Sequence, residues 1–326
     1  MNFTEVVREL GRGREGARDL SLEEAQNLYS CMLDGHVPDL ESGAITVALR
    51  IKGETPEEMR GFLNATLERT TSLRSPSSTL RPIVIPTYNG ARKEANLTAL
   101  LALLLRRLGL FVVIHGLIDG YERVTTAQIL QEFDLTPCRR ADEAQQQLDN
   151  HGLVIIPLPV LSPSLNNQLR LRERLGLRNS AHSLVKMLDP FKGDGVLLAA
   201  ATHPDYLGLM RDVIVATSGQ ALLFRGTEGE PFANPKRCPR IDYLHDKTCE
   251  TLVEATHDSL KALPDLPKSC DAKSTAHWMR LVLSGKIAIP QSIVSQLECC
   301  FLASGYAKDI KSAADLIKQK GFKVTQ

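Results

Sequence analysis

Ile83-Val84-Ile85-Pro86-Thr87-Tyr88-Asn89-Gly90-Ala91-Arg92-Lys93-Glu94-Ala95-Asn96 reads as an apolar strand that runs into a turn, and Leu97 to Leu105 continues it as an apolar helix. A strand, a turn and a helix N-terminus make a ready site for anions, because free backbone N–H groups and the positive end of the helix dipole converge there. Such a loop normally uses several glycines to bring its backbone close to a phosphate. Here a proline and a tyrosine stand in the turn, and Arg92 and Lys93 precede the helix. The pattern predicts a phosphate site in which side-chain charge has replaced backbone recognition. The plainer alternative is an ordinary strand-to-helix turn with two solvated cations.

Outward from this stretch the hydrophobic period changes. On its C-terminal side, Phe111-Val112-Val113-Ile114, Leu153-Val154-Ile155-Ile156, Val196-Leu197-Leu198 and Ala221-Leu222-Leu223-Phe224 are short apolar runs, with helical stretches between several of them. That alternation predicts a mainly parallel sheet flanked by helices. On the N-terminal side, residues 1–72 read as helices. Ser21-Leu22-Glu23-Glu24 is a capping box. Leu40 to Ile51 is apolar-periodic, and Thr55-Pro56-Glu57-Glu58 starts a third helix with a threonine cap and a proline in its first turn. Ser72 to Pro82 reads as a linker. Leu165 to Lys186 is helical and polar-rich, and is expected to pack back on the helical domain. Trp278 to Leu283, Ser292 to Ala303 and Ala313 to Gln319 are helical by periodicity. The division expected is a helical domain over 1–80, completed by helices from about 165–190, and an α/β domain over 81–326.

Composition narrows the function classes. A net charge of +1 over 326 residues makes the protein as a whole neither basic nor acidic, so polyanion binding must come from charge clustered on one face. Seven cysteines, an odd count without metal-like spacing, suit a reducing cytoplasm. No apolar run is long enough to span a bilayer, and no charged-then-apolar leader stands at the N-terminus, so no membrane association is expected.

Asp19-Leu20-Ser21-Leu22-Glu23-Glu24-Ala25 and Ala48-Leu49-Arg50-Ile51-Lys52-Gly53-Glu54-Thr55-Pro56-Glu57-Glu58 resemble the text of the anthranilate phosphoribosyltransferase family. His115-Gly116 after a strand and Leu175-Gly176-Leu177-Arg178 on a later helix follow in family order. The resemblance implies an α/β fold of the phosphoribosyltransferase and nucleoside phosphorylase kind: a small N-terminal helical domain plus a larger α/β domain with a central, mainly parallel sheet. It also implies a homodimer formed through the helical domains, and transfer of ribosyl phosphate from phosphoribosyl pyrophosphate, with magnesium, to anthranilate.

The catalytic text of that family does not survive. Its Gly-Thr-Gly-Gly-Asp loop falls on Pro86-Thr87-Tyr88-Asn89-Gly90, where only Thr87 matches; Asn96 keeps the asparagine that follows. Its Lys-His-Gly-Asn falls on Ile114-His115-Gly116-Leu117. Its acidic metal pair falls on Pro231-Phe232, with Glu228 and Glu230 nearby, and neither a proline nor a phenylalanine side chain ligates magnesium, which takes hard oxygen ligands. Its Asn-x-x-Gly-Pro-Leu becomes His182-Ser183-Leu184-Val185-Lys186-Met187.

Cations replace the lost groups. Arg92, Lys93 and Lys186 are new at former active-site positions, and Arg172 stands where the family contacts anthranilate. Arg170, Arg174 and Arg178 would share one helical face if the helix stays regular past Gly176. Like charges at that spacing repel, so a polyanion that neutralises them explains the stripe. The pattern resembles a nucleic-acid-binding subgroup of the family, which keeps Asn-Gly-Ala-Arg-Lys in the loop. The match extends to Gly226-Thr227-Glu228-Gly229-Glu230 and Ala233-Asn234-Pro235. The reading adopted is non-sequence-specific binding of DNA or RNA, preferably single-stranded, by a cytoplasmic homodimer without cofactor, metal or catalytic residues. Arg92, Lys93, Arg170, Arg172, Arg174, Arg178 and Lys186 are the main expected contacts. Thr87, Tyr88, Asn89, Asn96, His115 and His182 are secondary candidates, each with a structural alternative: Tyr88 stacks on a base or fills space left by missing glycines, and the histidines meet phosphate or satisfy local backbone. Arg8, Arg12, Arg14 and Arg18 read as a solvated face, interleaved with Glu9, Glu15 and Asp19. The alternative function is a phosphoribosyl or glycosyl transferase with altered substrate, in which Glu228 and Glu230 hold magnesium and Arg92 or Lys93 replaces the backbone cradle.

Overall fold

In the computed structural model, residues 1–120, 122–256 and 264–324 are described. The N-terminal helices are α1 (Phe3–Leu10), α2 (Gly13–Gly16), α3 (Leu22–Leu33), α4 (Asp39–Lys52) and α5 (Pro56–Glu68). A capping box at Ser21 starts α3 as the sequence predicts, and the predicted threonine cap at Thr55 starts α5 and proves to be a full box: each side-chain oxygen accepts from the third residue's N–H, and each glutamate reaches back. After the Ser- and Pro-rich linker come β1 (Ile83–Thr87), α6 (Thr98–Arg107), β2 (Val112–Gly116), α7 (Thr126–Gln131), α8 (Ala141–His151) and β3 (Leu153–Pro157). Next are α9 (Leu158–Leu161), α10 (Pro163–Leu175), α11 (Ala181–Leu184), β4 (Val196–Ala201), α12 (Pro204–Ala216) and β5 (Gln220–Arg225). The chain closes with β6 (Ile241–His245), β7 (Thr248–Val253), α13 (Ala272–Leu283), α14 (Gln291–Ala303) and α15 (Ile310–Gln319).

The strands form one sheet in the order β3-β2-β1-β4-β5-β6-β7. The first five run parallel, and β6 and β7 add an antiparallel edge. Alternation within the apolar runs now has a meaning. Val84, Val113, Val154 and Leu197 join the core that includes the helical domain, whereas Ile83, Ile85, Val112 and Ile114 join the core under α6, α13 and α14. Both faces are covered, which is why these strands read as unbroken apolar runs. Helix α10 packs back on α3, and Gln168 Nε2 donates to Met32 O at 2.8 Å, as the sequence led us to expect of this segment.

One element is new and one expectation is corrected. The β6–β7 hairpin was not foreseen, because its strands are half exposed and lack an apolar run. The stretch from Leu165 to Lys186 is not one helix. It breaks at Gly176, which takes φ +71° at the C-terminal cap of α10, a conformation that suits glycine. Arg178 therefore leaves the face shared by Arg170 and Arg174.

The strand order reverses between β1 and β4, and the carboxyl ends of strands at such a switch point are where open α/β sheets place ligands. Tyr88 follows β1, Thr202 follows β4, and Lys186 lies between them. Gly116 at the end of β2 is required by closeness: a Cβ there would lie 1.7 Å from Thr87 O. It lets the ends of β1 and β2 meet.

Candidate functional site

The turn after β1 is an anion cradle, and it is already filled. Glu230, fully buried, accepts from the main-chain N–H groups of Asn89 at 3.0 Å and Gly90 at 2.9 Å through Oε1. Its Oε2 accepts from Thr87 Oγ1, from Asn96 Nδ2 at 3.2 Å and from Thr126 Oγ1 at 3.3 Å. Glu228 does the same one step along. Its Oε1 accepts from the N–H groups of Lys93 and Glu94, both at 2.8 Å, and of Arg92 at 3.3 Å. Arg123 adds a cation 3.6 Å from Glu228 Oε2 and donates to Gly90 O at 3.2 Å. Asn89 Nδ2 donates to Glu228 O, and Glu228 itself sits at φ +52°, a left-handed conformation that persists only where several contacts enforce it. Two carboxylates of the chain's own acidic turn thus take the backbone donors that a strand–turn–helix site offers to phosphate.

This geometry decides the magnesium question left by the sequence. Ligation needs carboxylate lone pairs turned toward an open site. The oxygens of Glu228 and Glu230 face N–H and O–H donors, and Pro231 and Phe232 offer no side-chain ligand. The residues do not fit a magnesium site, and among the described residues no group of three or more His, Cys, Asp or Glu could hold a metal.

With the cradle closed from within, the side chains of Arg92 and Lys93 stand exposed, with no hydrogen-bond or ion-pair partner among the described residues. Arg92, Arg123 and Arg172 line a cavity of about 300 Å³ together with Tyr88, Asn89 and His182. A second cavity, of about 150 Å³, lies on the other side of Tyr88 and His182, bordered by Arg50, Arg178, Lys186 and Tyr206. Arg178 donates to Asn89 Oδ1 at 2.9 Å, Arg50 donates to Tyr206 Oη, and Ser180 Oγ donates to Glu54 at 2.5 Å, so side chains of the helical domain close one wall. Arg92, Arg172, Arg178 and Lys186 are the cationic sequence candidates that the fold gathers around these two cavities, while Lys93 lies on the outer side of the turn.

The others are placed differently. Arg170 pairs with Glu173 at 3.2 Å and Arg174 with Asp39 on α4 at 3.0 Å, so both are exposed but engaged along α10. Lys186 is buried, donates to Ala200 O at 2.5 Å and lies 5.5 Å from the centre of the Tyr88 ring. Burial, reinforced by Arg178 and opposed by Glu230, pushes its amine down to about 8. It supplies positive potential from the wall of the smaller cavity, with its ammonium turned inward onto Ala200 O. Tyr88 is buried with its ring edge-on to His182. Burial raises its phenol above the ordinary value. Thr87 and Asn96 are spent on Glu230. His115 is fully buried with Nε2 2.9 Å from Leu188 O, and burial pushes it down to about 4, which is the structural role. His182 faces Asn179 N and Oδ1 through Nδ1, leaves Nε2 without a partner, and is held neutral at about 3 by burial and by Arg178 and Arg172. Sequence reasoning missed Arg123, which reaches the site through a bridge between Ala91 and Val124 that no local pattern announces.

Comparison with known proteins bears on the family and the fold. Residues 4–70 match the helical bundle domain of a glycosyl transferase family. The chain is 42% identical over 320 residues, 98% of its length and 99% of the relative's, to the uncharacterized protein YbiB of Escherichia coli (strain K12). It is 23% identical to the anthranilate phosphoribosyltransferase of Desulfosudis oleivorans over 93% of its length and 90% of the relative's. The chain belongs to the anthranilate phosphoribosyltransferase-like glycosyltransferase family. Among solved members, the Thermus thermophilus anthranilate phosphoribosyltransferase superposes with a TM-score of 0.75 at 22% identity, covering 98% of this chain and 94% of that one. The Saccharomyces cerevisiae enzyme in complex with PRPP and Mg gives 0.68 at 12% identity over 97% and 93%. These likenesses establish the family fold.

Proposed function

We propose that this chain is a binder of nucleic-acid phosphates, single-stranded DNA or RNA without sequence preference, and that it does not transfer phosphoribosyl groups. The observation that carries the reading is the filled cradle. Backbone donors that would hold a pyrophosphate are satisfied by Glu230 and Glu228, while Arg92 is turned to solvent beside Arg172, Arg178 borders the neighbouring cavity, and Lys93 stands exposed on the outer side of the turn. Such a surface attracts a chain of phosphates through charge and offers no seat for magnesium pyrophosphate. Lys186 and His182 act as its support: the first adds potential, and the second borders both cavities with an unpartnered ring nitrogen.

A homodimer is part of the proposal. Leu40, Ala44, Val47 and Ile51 lie at spacings of four, three and four on α4, and Leu40 and Ile51 are 82% and 60% exposed. An outward apolar stripe at this period fits a second copy of the same helix face. Among the described residues no helix is long and apolar enough to cross a membrane. All seven cysteines are free thiols, consistent with the reducing cytoplasm in which we place the protein.

The test is a salt titration of a labelled single strand beside a titration of phosphoribosyl pyrophosphate with magnesium. With roughly four to six phosphates neutralised, the slope of log K against log salt lies near about −3 to −4. Arg92→Ala with Lys93→Ala flattens it by about 1.4 and weakens unlike sequences equally. Salt-insensitive binding, or magnesium-dependent formation of phosphoribosyl anthranilate by the purified protein, would overturn the reading.

A further inference from the structure

On the outer side of the acidic turn lies a groove with a cavity of about 690 Å³, which nothing above assigns. Leu207, Leu223, Pro239 and Ala255 give it an apolar lining, and Lys93, Arg225, Arg237 and Arg240 give it cations. Its acids are already compensated. Glu94 pairs with Lys236 at 2.9 Å, Glu228 is taken by three backbone N–H groups, and Asp242 is held by Arg240 at 2.7 Å and Thr251 at 2.8 Å. What is left over is positive. Lys93 and Arg225 are without side-chain partners among the described residues, both exposed, and Arg237 makes one long contact, 3.4 Å from Thr256 O.

The groove is continuous with the cleft. Lys93 follows Arg92, which lines the inner cavity. Thr202 borders both this groove and the cavity beside Tyr88, and Arg225 ends β5 in register with Ala201 of β4. A path of cations therefore runs over the turn, from Arg172 and Arg92 to Lys93, Arg225 and Arg237. Beyond the turn it lies next to apolar surface. A single strand presents both phosphates and unpaired base faces, and so matches a cationic groove with an apolar lining. A duplex hides its base faces by stacking.

We propose that this groove is a second segment of one single-strand track, taking the nucleotides that follow the phosphates held at Arg92 and Lys93. Their phosphates meet Arg225 and Arg237, and their bases rest against Leu207, Leu223 and Pro239. The proposal rests on the nucleic-acid reading above, and its test separates the two.

Labelled oligothymidylates of about six and about twenty nucleotides are titrated at several salt concentrations. The proteins compared are the wild type, Arg225→Ala/Arg237→Ala, and a control that removes two distant exposed arginines, Arg12→Ala/Arg14→Ala. The groove variant flattens the salt slope for the long strand by about 1.4, changes short-strand affinity by less than about twofold, and the control leaves both unchanged. With 5-bromouracil along the long strand, photocrosslinks appear in peptides carrying Leu207 and Pro239. If the wild type binds the long strand but the groove variant keeps its slope, or crosslinks map only to the inner cleft, this inference is wrong and the nucleic-acid reading stands. If the wild type binds neither strand, the nucleic-acid reading falls and this inference with it.

Discussion

At the scale of single residues, Glu230 decides what the ancestral loop has become. Its carboxylate collects five donors within the protein. Removing it leaves two backbone N–H groups, an amide and two hydroxyls facing an empty space, and orphaned buried donors are expensive. Glu230→Ala should lower unfolding stability by about 3–5 kcal/mol, and Glu230→Gln, which keeps one acceptor oxygen, by about 1–3 kcal/mol. Urea denaturation measures both, and a loss below about 1 kcal/mol for alanine would mean that the cradle is not held by this group. Lys186 behaves in the opposite sense. Its amine titrates near about 8 in the folded protein, well below the unfolded value, because burial opposes the charge. Below that pH the folded state carries a buried cation at a cost. As pH rises from about 8 toward the unfolded lysine value of about 10.4, the unfolded chain holds the proton longer, so this cost is relieved. Lys186→Met should therefore be more stable than wild type at pH 7 by about 1–3 kcal/mol, with the advantage shrinking through that window. Thermal denaturation of both proteins across the range checks the sign.

At the scale of elements, the strand–turn–helix from β1 to α6 and the helix α4 carry different information. The first was legible because its parts follow local rules: an apolar strand, turn residues, then a helix whose eight residues Thr98–Leu105 are buried. Its closure by the acidic turn was not legible, since Glu228 and Glu230 lie more than 130 positions away in the chain. Helix α4 was legible as a helix, whereas its outward stripe emerged only when Ile45, Ala48 and Leu49 were seen to be buried and Leu40 and Ile51 exposed. Leu40→Glu with Ile51→Glu should convert the proposed dimer to monomer without unfolding it, because neither side chain belongs to the core. Sedimentation velocity measures this, and a wild type that is monomeric well above micromolar concentration removes the premise. Arg170 and Arg174 remain on α10 with ion-pair partners, so a stripe argument from spacing four overstates their availability, and Gly176 removes Arg178 from it altogether.

At the scale of the whole molecule, the helical domain and the sheet meet over the strand switch point, and the cations stand around that opening. Two protomers would present two such clefts. A strand long enough to reach both should bind more tightly than a short one by more than its added phosphates explain, because the second contact is intramolecular. The monomeric Leu40/Ile51 variant loses this excess and keeps the short-strand affinity. Binding of equal strength by long and short strands to a verified dimer would show that the clefts do not cooperate in this way.

Local order was readable from the chain itself. Capping boxes, turn chemistry and apolar periodicity act between neighbours, so the helices α3, α4 and α5 and the five parallel strands could be placed from their own residues. The resemblance of Lys52-Gly53-Glu54-Thr55 and its flanks to a family extended that reading to the architecture. Tertiary structure decided the rest, because burial and charge compensation are properties of distant segments brought together. It turned two suspected magnesium ligands into internal anions, turned the Lys186 ammonium inward onto Ala200 O, and left Arg92 uncompensated beside Arg172 and Lys93 uncompensated on the outer side of the turn. Whether a charge is spent inside a fold or offered to a partner depends on what faces it in three dimensions.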